Sequence, residues 1–227
     1  MLKLRCEVTI ESDPARSKQE KIKPQKEVTQ KWVFNALSSC TIVEDTGSLT
    51  DTCVIELPKK ISWQQDPRSR DKTKAASEVP AEIPIKRGDK ITVRLGYFIG
   101  NTMPESKDLK VRFSGYIRNV NTKAPIRIEC EDGMFLLKLL PAKKRGFPGI
   151  KLKELVGFLL KGTGVEYKLL DDNIDLGSYR ITRSTVAEEL NELKRERGLK
   201  AYFIQSVLHV GYDYPFDGRN KESFIHS

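Results

Sequence analysis

Histidine is nearly missing from this chain: His209 and His226 are the only two in 227 residues. Cysteine is sparse as well. Cys6, Cys40, Cys53 and Cys130 lie far apart with no CxxC spacing and with strand-like, apolar neighbours. Such a set has too few ligands at suitable spacing for a structural zinc site. It reads as free buried thiols, with a disulfide pair or a metal site as the alternative. No GxSxG, P-loop, Rossmann fingerprint or HExxH occurs, so the signatures of the common hydrolytic and nucleotide-dependent enzymes are missing. The expectation is a protein with no catalytic residues, no cofactor and no metal. No apolar run approaches the roughly 20 residues of a membrane helix. Met1–Ile10 alternates like a strand and lacks the apolar centre of a signal peptide, which predicts synthesis and folding in a cytoplasm.

The acidic clusters offer little chemistry. Asp171, Asp172, Asn173 and Asp175 group oxygens of the kind calcium takes, but the EF-hand glycine and terminal glutamate are missing, and a polar loop is the simpler reading. Glu129, Glu131 and Asp132 could supply a glycosidase-like carboxylate pair. Adjacent strand positions point to opposite faces, however, so Glu131 and Asp132 do not readily share a substrate. His209, between Leu208 and Val210, reads as a packed or surface histidine rather than a ligand.

What the chain does have is short alternating runs. Hydrophobic residues make up 38% and charged residues 31%, a soluble globular balance. Lys90–Phe98, Lys110–Val120 and Ile126–Asp132, the last followed at once by Gly133–Lys138, read as an antiparallel meander. In the first run Ile91, Val93, Leu95 and Tyr97 share one face. Leu49–Leu57 is a further strand, stopped by Pro58. The alternation predicts a core of Val93, Leu95, Phe113, Ile117, Ile126 and Ile128. Ser12–Gln30 and Ser62–Val79 are charged and without period, the pattern of mobile loops. Five to seven short strands with long polar excursions suggest a small barrel or sandwich.

The pattern changes after Leu140. Pro141–Pro148 reads as a linker, and Leu152, Leu155, Val156, Leu159 and Leu160 repeat at helical spacing up to Gly162. Val165–Leu170 and Tyr179–Thr182 read as strands. Thr185 and Glu188 form a capping box for a second helix whose buried face is Val186, Leu190 and Leu193, ended by Gly198. Leu199–Ile204 and Val207–Tyr212 then make a hairpin about Gln205-Ser206. The predicted fold is α+β: a mainly antiparallel β-barrel over residues 1–140, a small α+β domain (helix, strand, strand, helix, hairpin) over 141–212, and a tail over 213–227.

The formal charge of +9 points to an acidic partner, either nucleic acid or an acidic protein surface. The cations gather in Lys18–Lys31, Arg68–Lys74 and Lys143–Lys153. None of these stretches carries interleaved aromatics, and each reads as a solvated loop.

The order of these pieces resembles a known family. Phe113, Gly115, Ile117 and Asp132 match its "F-x-G-x-I", strand, "D" order, and Thr50–Pro58 resembles its strand ending in Leu-Pro. Gly198, Tyr202 and Val210-Gly211 resemble its later "Gly-Leu, aromatic, hairpin, Val-Gly" element. The family is that of phage tail baseplate hubs, which includes late control protein D and the base of the type VI secretion spike. The resemblance covers about residues 31–212 and implies a structural, non-catalytic virion protein. Such a protein is prophage-encoded and assembled in the bacterial cytoplasm as part of a tail. It implies a homotrimer of subunits with two barrels each, a pseudo-six-fold ring joining the tail tube to the spike. Spike, tube and tape-measure proteins are then the partners, with non-specific contact to DNA and no membrane-spanning segment. Residues 213–227 would begin a second barrel cut short, so the chain alone is expected to be monomeric. The alternatives are a nucleic-acid-binding small-barrel module and a polysaccharide-cleaving tail enzyme.

Overall fold

The structure, a computed structural model, describes residues 2–12, 30–45, 47–58, 64–65, 85–99, 109–123 and 125–212. Its first part holds eight strands: β1 (Leu2–Ser12), β2 (Gln30–Phe34), β3 (Ser39–Val43), β4 (Thr52–Leu57), β5 (Gln64–Gln65), β6 (Lys90–Ile99), β7 (Lys110–Asn121) and β8 (Ile126–Glu131). They form one antiparallel sheet in the order β3-β4-β8-β7-β6-β1-β2-β5. The alternation behind the strand reading is realised in β4, where Cys53, Ile55 and Leu57 are buried and Thr52, Val54 and Glu56 are half-buried.

That sheet has to curl. In a flat sheet six strand spacings of about 4.8 Å would separate β3 from β2 by about 29 Å. The chain from Phe34 to Ser39 joins these two strands directly and reaches at most about 18 Å. Curling turns one face inward, and Val8, Ile10, Ile55, Ile91, Val93 and Ile128 there are all 0% exposed. Among the described residues the ladder keeps two ends, β3 and β5, with no hydrogen-bonded pair joining them.

Of the core residues expected from sequence, Val93, Phe113, Ile117 and Ile128 are buried, and Leu95 and Ile126 pack half-buried against them. Tyr97 departs from its expected face and is 68% exposed. The β6–β7 pairing ends at Leu95↔Lys110, and among the described residues β6 runs on paired with β1 alone. Ser12 is buried in β1, and Gln30, Gln64 and Gln65 are strand residues. The rest of the two expected loops, apart from Glu11's neighbour Ser12 and those glutamines, lies outside the described residues, as does the tail over 213–227.

The second part contains α1 (Met134–Leu139), β9 (Gly146–Phe147), α2 (Leu152–Leu159), β10 (Tyr167–Leu169), β11 (Tyr179–Arg180), α3 (Val186–Arg197), β12 (Lys200–Ile204) and β13 (Val207–Gly211). β12 and β13 form the expected hairpin, with Gln205 at φ 56° in its turn, and β10 adds in parallel. The segment read as a linker is instead built in: β9 pairs with β11, and Ala142 is buried and donates its N–H to the Ser184 carbonyl. The alternating reading also missed α1. Asp132 Oδ1 accepts the Met134 N–H at 2.9 Å and starts a helical turn that places Met134 and Leu137 in the second core with Leu152, Leu155, Leu190 and Phe203. No helix among the described residues is long and apolar enough to cross a membrane.

Candidate docking cleft at the end of the curled sheet

β1 pairs with β2 only from Val8 onward, yet it continues along β6 to Leu2↔Ile99. The first residues of β1 therefore stand beyond the end of β2, where residues 35–38 carry the chain across to β3. The space between is a cleft of ≈ 850 Å³, lined by Leu4, Leu37, Ile42, Leu95 and Tyr97 and edged by Glu44 and Arg112. Leu4 and Tyr97 are register partners, 59% and 68% exposed. Val43, at the end of β3, is 54% exposed. Two large apolar side chains paired in register and exposed at the rim of a cleft that also holds Asn35, Ser38, Ser39, Glu44 and Arg112 make it a candidate surface for seating another molecule.

Thiols floor this cleft. Cys6 and Cys40 line it, and the Cys6 thiol donates to the Asn35 carbonyl at 3.3 Å. Cys40 is hydrogen-bonded to Cys53, and Cys53 stands opposite Cys130 in the β4–β8 ladder. Four residues scattered in sequence thus become neighbours, and all four thiols are free. The hydrogen bond to Cys40, and then burial, pushes the Cys53 thiol up, while burial does the same for Cys130. Both stay protonated at neutral pH and act as small apolar side chains.

The acidic candidates are spent on structure. Arg118, the extra residue where the β7–β8 register shifts, reaches Glu129 at 2.7 Å and Glu131 at 3.5 Å. Lys138 of α1 holds the other Glu131 oxygen at 2.8 Å. Asp132 turns away from both, its Oδ2 accepting the Asp51 N–H at 3.1 Å. Burial raises the Asp132 carboxyl to about 7. Asp171 and Asp175 accept the N–H groups of Asn173 and Gly177, as Asx turns do. His209 stacks on Tyr202, ring centroids 5.7 Å apart. No group of three metal-ligating side chains occurs among the described residues.

The Phe113, Gly115 and Ile117 signature is likewise architectural. Phe113 and Ile117 fill the sheet's interior. A Cβ at Gly115 would lie 2.1 Å from the Glu131 carbonyl oxygen, so only glycine lets β7 and β8 approach as they do. What sequence reasoning missed is the cleft itself. Tyr97 carries the one local signal, an aromatic at the end of an alternating run just before the polar stretch that opens at Gly100.

No family model matches the chain, and no curated protein matches it in sequence. Its fold is nevertheless shared with solved structures. It resembles the 43 kDa tail protein of prophage MuSo2 from Shewanella oneidensis, at 16% identity and a TM-score of 0.52 over 79% of this chain and 51% of that one. It resembles a tail protein from Neisseria meningitidis MC58, at 12% identity and a TM-score of 0.57 over 92% of this chain and 50% of that one. It is also similar to prophage tail protein gp18 from Listeria monocytogenes EGD-e, at 8% identity and a TM-score of 0.50 over 92% and 50% of the two chains. The chain spans about half the length of each of these proteins, and the fold it shares with them is that of phage tail proteins.

Proposed function

We propose that this chain is a structural, non-catalytic component of a phage-type tail, prophage-encoded and carried in the virion. Within that class we read it as a baseplate hub of the late control protein D kind, joining the tail tube to the central spike as a symmetry adaptor. One observation carries the reading: a fold shared with three prophage and tail proteins over 79% to 92% of the chain. The "F-x-G-x-I" residues that suggested the family from sequence fill the sheet's interior and leave room for β7 and β8 to approach at Gly115. In this reading the curled sheet is the hub barrel, and the cleft between Leu4, Tyr97 and β3 seats a neighbouring tail subunit. Spike, tube and tape-measure proteins are the partners, and the assembly is a trimer of longer subunits.

The test is genetic. The coding region is removed from the prophage, lytic growth is induced, and particles are imaged by electron microscopy. The expected result is tails without a spike or no tails at all, restored by the wild-type gene. Complete spiked tails from the deletion strain would overturn the proposal.

A further inference from the structure

The cleft is a gap in the wall of the curled sheet. Its lining comes from β1, β3, β6, β7 and residues 35–38, and none of it from β4. It therefore lies on the side of β3 away from β4, along the open end of the ladder. The ladder also fixes which backbone groups face that gap. Asp132 donates its N–H to the Asp51 carbonyl, one step beyond the Thr52↔Glu131 pair. Bonded and non-bonded pairs alternate in an antiparallel ladder, so odd-numbered residues of β4 bond towards β8, and Thr52, Val54 and Glu56 bond towards β3. The Ser38 N–H, which donates to the Glu56 carbonyl at 2.8 Å, agrees. In the β3–β4 register Ser39, Thr41 and Val43 then bond back to β4. The N–H and C=O groups of Cys40 and Ile42 point into the gap, with no partner among the described residues.

Open strand edges are ordinarily blunted by a lysine, a proline, a bulge or extreme shortness. Ser39–Val43 carries no charge and no proline, and its register with β4 is unbroken over five residues. At the other end of the ladder β5 is only two residues long. Charge marks the two ends of the gap. Arg112 sits at the β6–β7 register shift, level with Val93 and Arg94 and so with Val8 and Glu7. Phe34, the partner of Val8, leads through residues 35–38 to the start of β3, so Glu44 lies towards the other end. Neither Arg112 nor Glu44 has an ion pair among the described residues.

We propose that an extended segment of another protein adds to β3 in this cleft, with the backbone of Cys40 and Ile42 as its ladder partner. Apolar side chains at every second position of the segment lie against Leu37, Leu95 and Tyr97. A carboxylate near one end meets Arg112, and a cation near the other meets Glu44. Strand addition of this kind takes its affinity from the main chain and its specificity from alternate side chains. A small apolar ligand would fill the cleft and leave the four backbone groups without partners. A second copy would bring its β3 with β4 and the 35–38 crossover alongside, whereas a single segment brings only its own two edges. This inference gives the mode of the subunit contact proposed above for the cleft and rests on that reading.

The experiment combines fluorescence anisotropy with amide exchange on the whole chain at near-physiological salt. The probe is a short labelled peptide of alternating valine and threonine, with glutamate at one end and lysine at the other. Its comparator has two adjacent prolines at the centre, which removes an N–H from each edge because successive N–H groups point to opposite sides. The probe is expected to bind at least tenfold more tightly than the comparator. On saturation the Cys40 and Ile42 amides should slow, while Thr41, already bonded to β4, stays as it was. Ile42→Pro takes away an N–H that the sheet itself does not use. It should weaken binding roughly tenfold, about the worth of one hydrogen bond, while Ile42→Val binds as the wild type does. No binding, equal binding of the comparator, or binding that leaves the Cys40 and Ile42 amides unprotected would overturn the proposal. Protection of these amides that grows with protein concentration, without peptide, would overturn it in favour of a second copy. The prophage deletion is read independently, so strand addition can fail here while the tail reading stands.

Discussion

Two side chains show how far single residues set the behaviour of this protein. Phe113 is 5% exposed inside the curled sheet, against Val93 in its register. Phe113→Ala removes a ring from a buried interior and should cost about 3–5 kcal/mol, read as a lowered urea midpoint at unchanged slope. Asp132 works in the opposite sense. Burial lifts its carboxyl from 3.8 to about 7, even though it accepts hydrogen bonds from Asp51 and Met134. A folded state that binds this proton more tightly than the unfolded chain has a contribution fully present below 3.8 and lost as pH rises through about 7. Asn at this position keeps one of the two accepting oxygens, the one that takes the Met134 N–H, and cannot titrate. The stability of the wild type relative to Asp132→Asn should therefore fall steadily across that window, measured by urea melts at successive pH values. A flat difference would show that Asp132 keeps its ordinary carboxyl behaviour.

At the scale of elements, α3 organises the second part. Thr185 and Glu188 close the capping box at its start, and Gly198 at φ 70° ends it. Inside, Glu189 is 0% exposed and receives the Tyr179 hydroxyl at 2.7 Å, the Arg183 N–H at 2.8 Å and the Thr182 N–H at 3.1 Å. One carboxylate thereby fastens β11 to the helix, and the Tyr179 hydroxyl is pushed up by burial and by that same bond. Glu189→Ala strands three donors at once and should cost about 3 kcal/mol or more, whereas Tyr179→Phe removes one hydrogen bond and should cost about 1 kcal/mol. Amide exchange at Thr182 and Arg183 supplies a local readout. It should speed up strongly in the first variant and little in the second.

For the whole molecule, the two cores are joined rather than tethered. Leu49, from the β3–β4 connection, packs on the second core, and Lys194 of α3 donates to the Gly47 carbonyl. A Cβ at Gly133 would lie 2.4 Å from the Phe203 ring, so the start of α1 sits directly against β12. The joint predicts that the two parts melt together, in one transition by calorimetry. The ring implied by the family resemblance takes two barrels from each subunit, and the described residues hold one curled sheet. These 227 residues are therefore expected to be monomeric at micromolar concentration by light scattering, with weak self-association through Leu4 and Tyr97 only at high concentration. A stable trimer would show that one curled sheet and its α+β companion suffice.

Features written in neighbouring residues could be read from the linear chain. Alternation in Lys90–Leu95 and Ile126–Glu131 marked strands, the Leu152–Leu159 spacing marked a helix, and Thr185 with Glu188 marked where another begins. Each of these signals acts within a few residues, through side-chain direction or a local hydrogen bond, so it survives in the linear chain. The other features arise from the folding of distant segments onto one another. Tyr97 continues a buried face in sequence and is exposed, beyond the last β6–β7 pair among the described residues. Cys40 packs on the interior that holds Cys53 and Cys130, and meets Cys6 at the cleft, because β1, β3, β4 and β8 belong to one curled sheet. Gly146 and Arg180 share a face because a stretch that reads as a linker pairs with β11. Register, curl and the meeting of distant segments depend on contacts across the whole chain, and no local period encodes them.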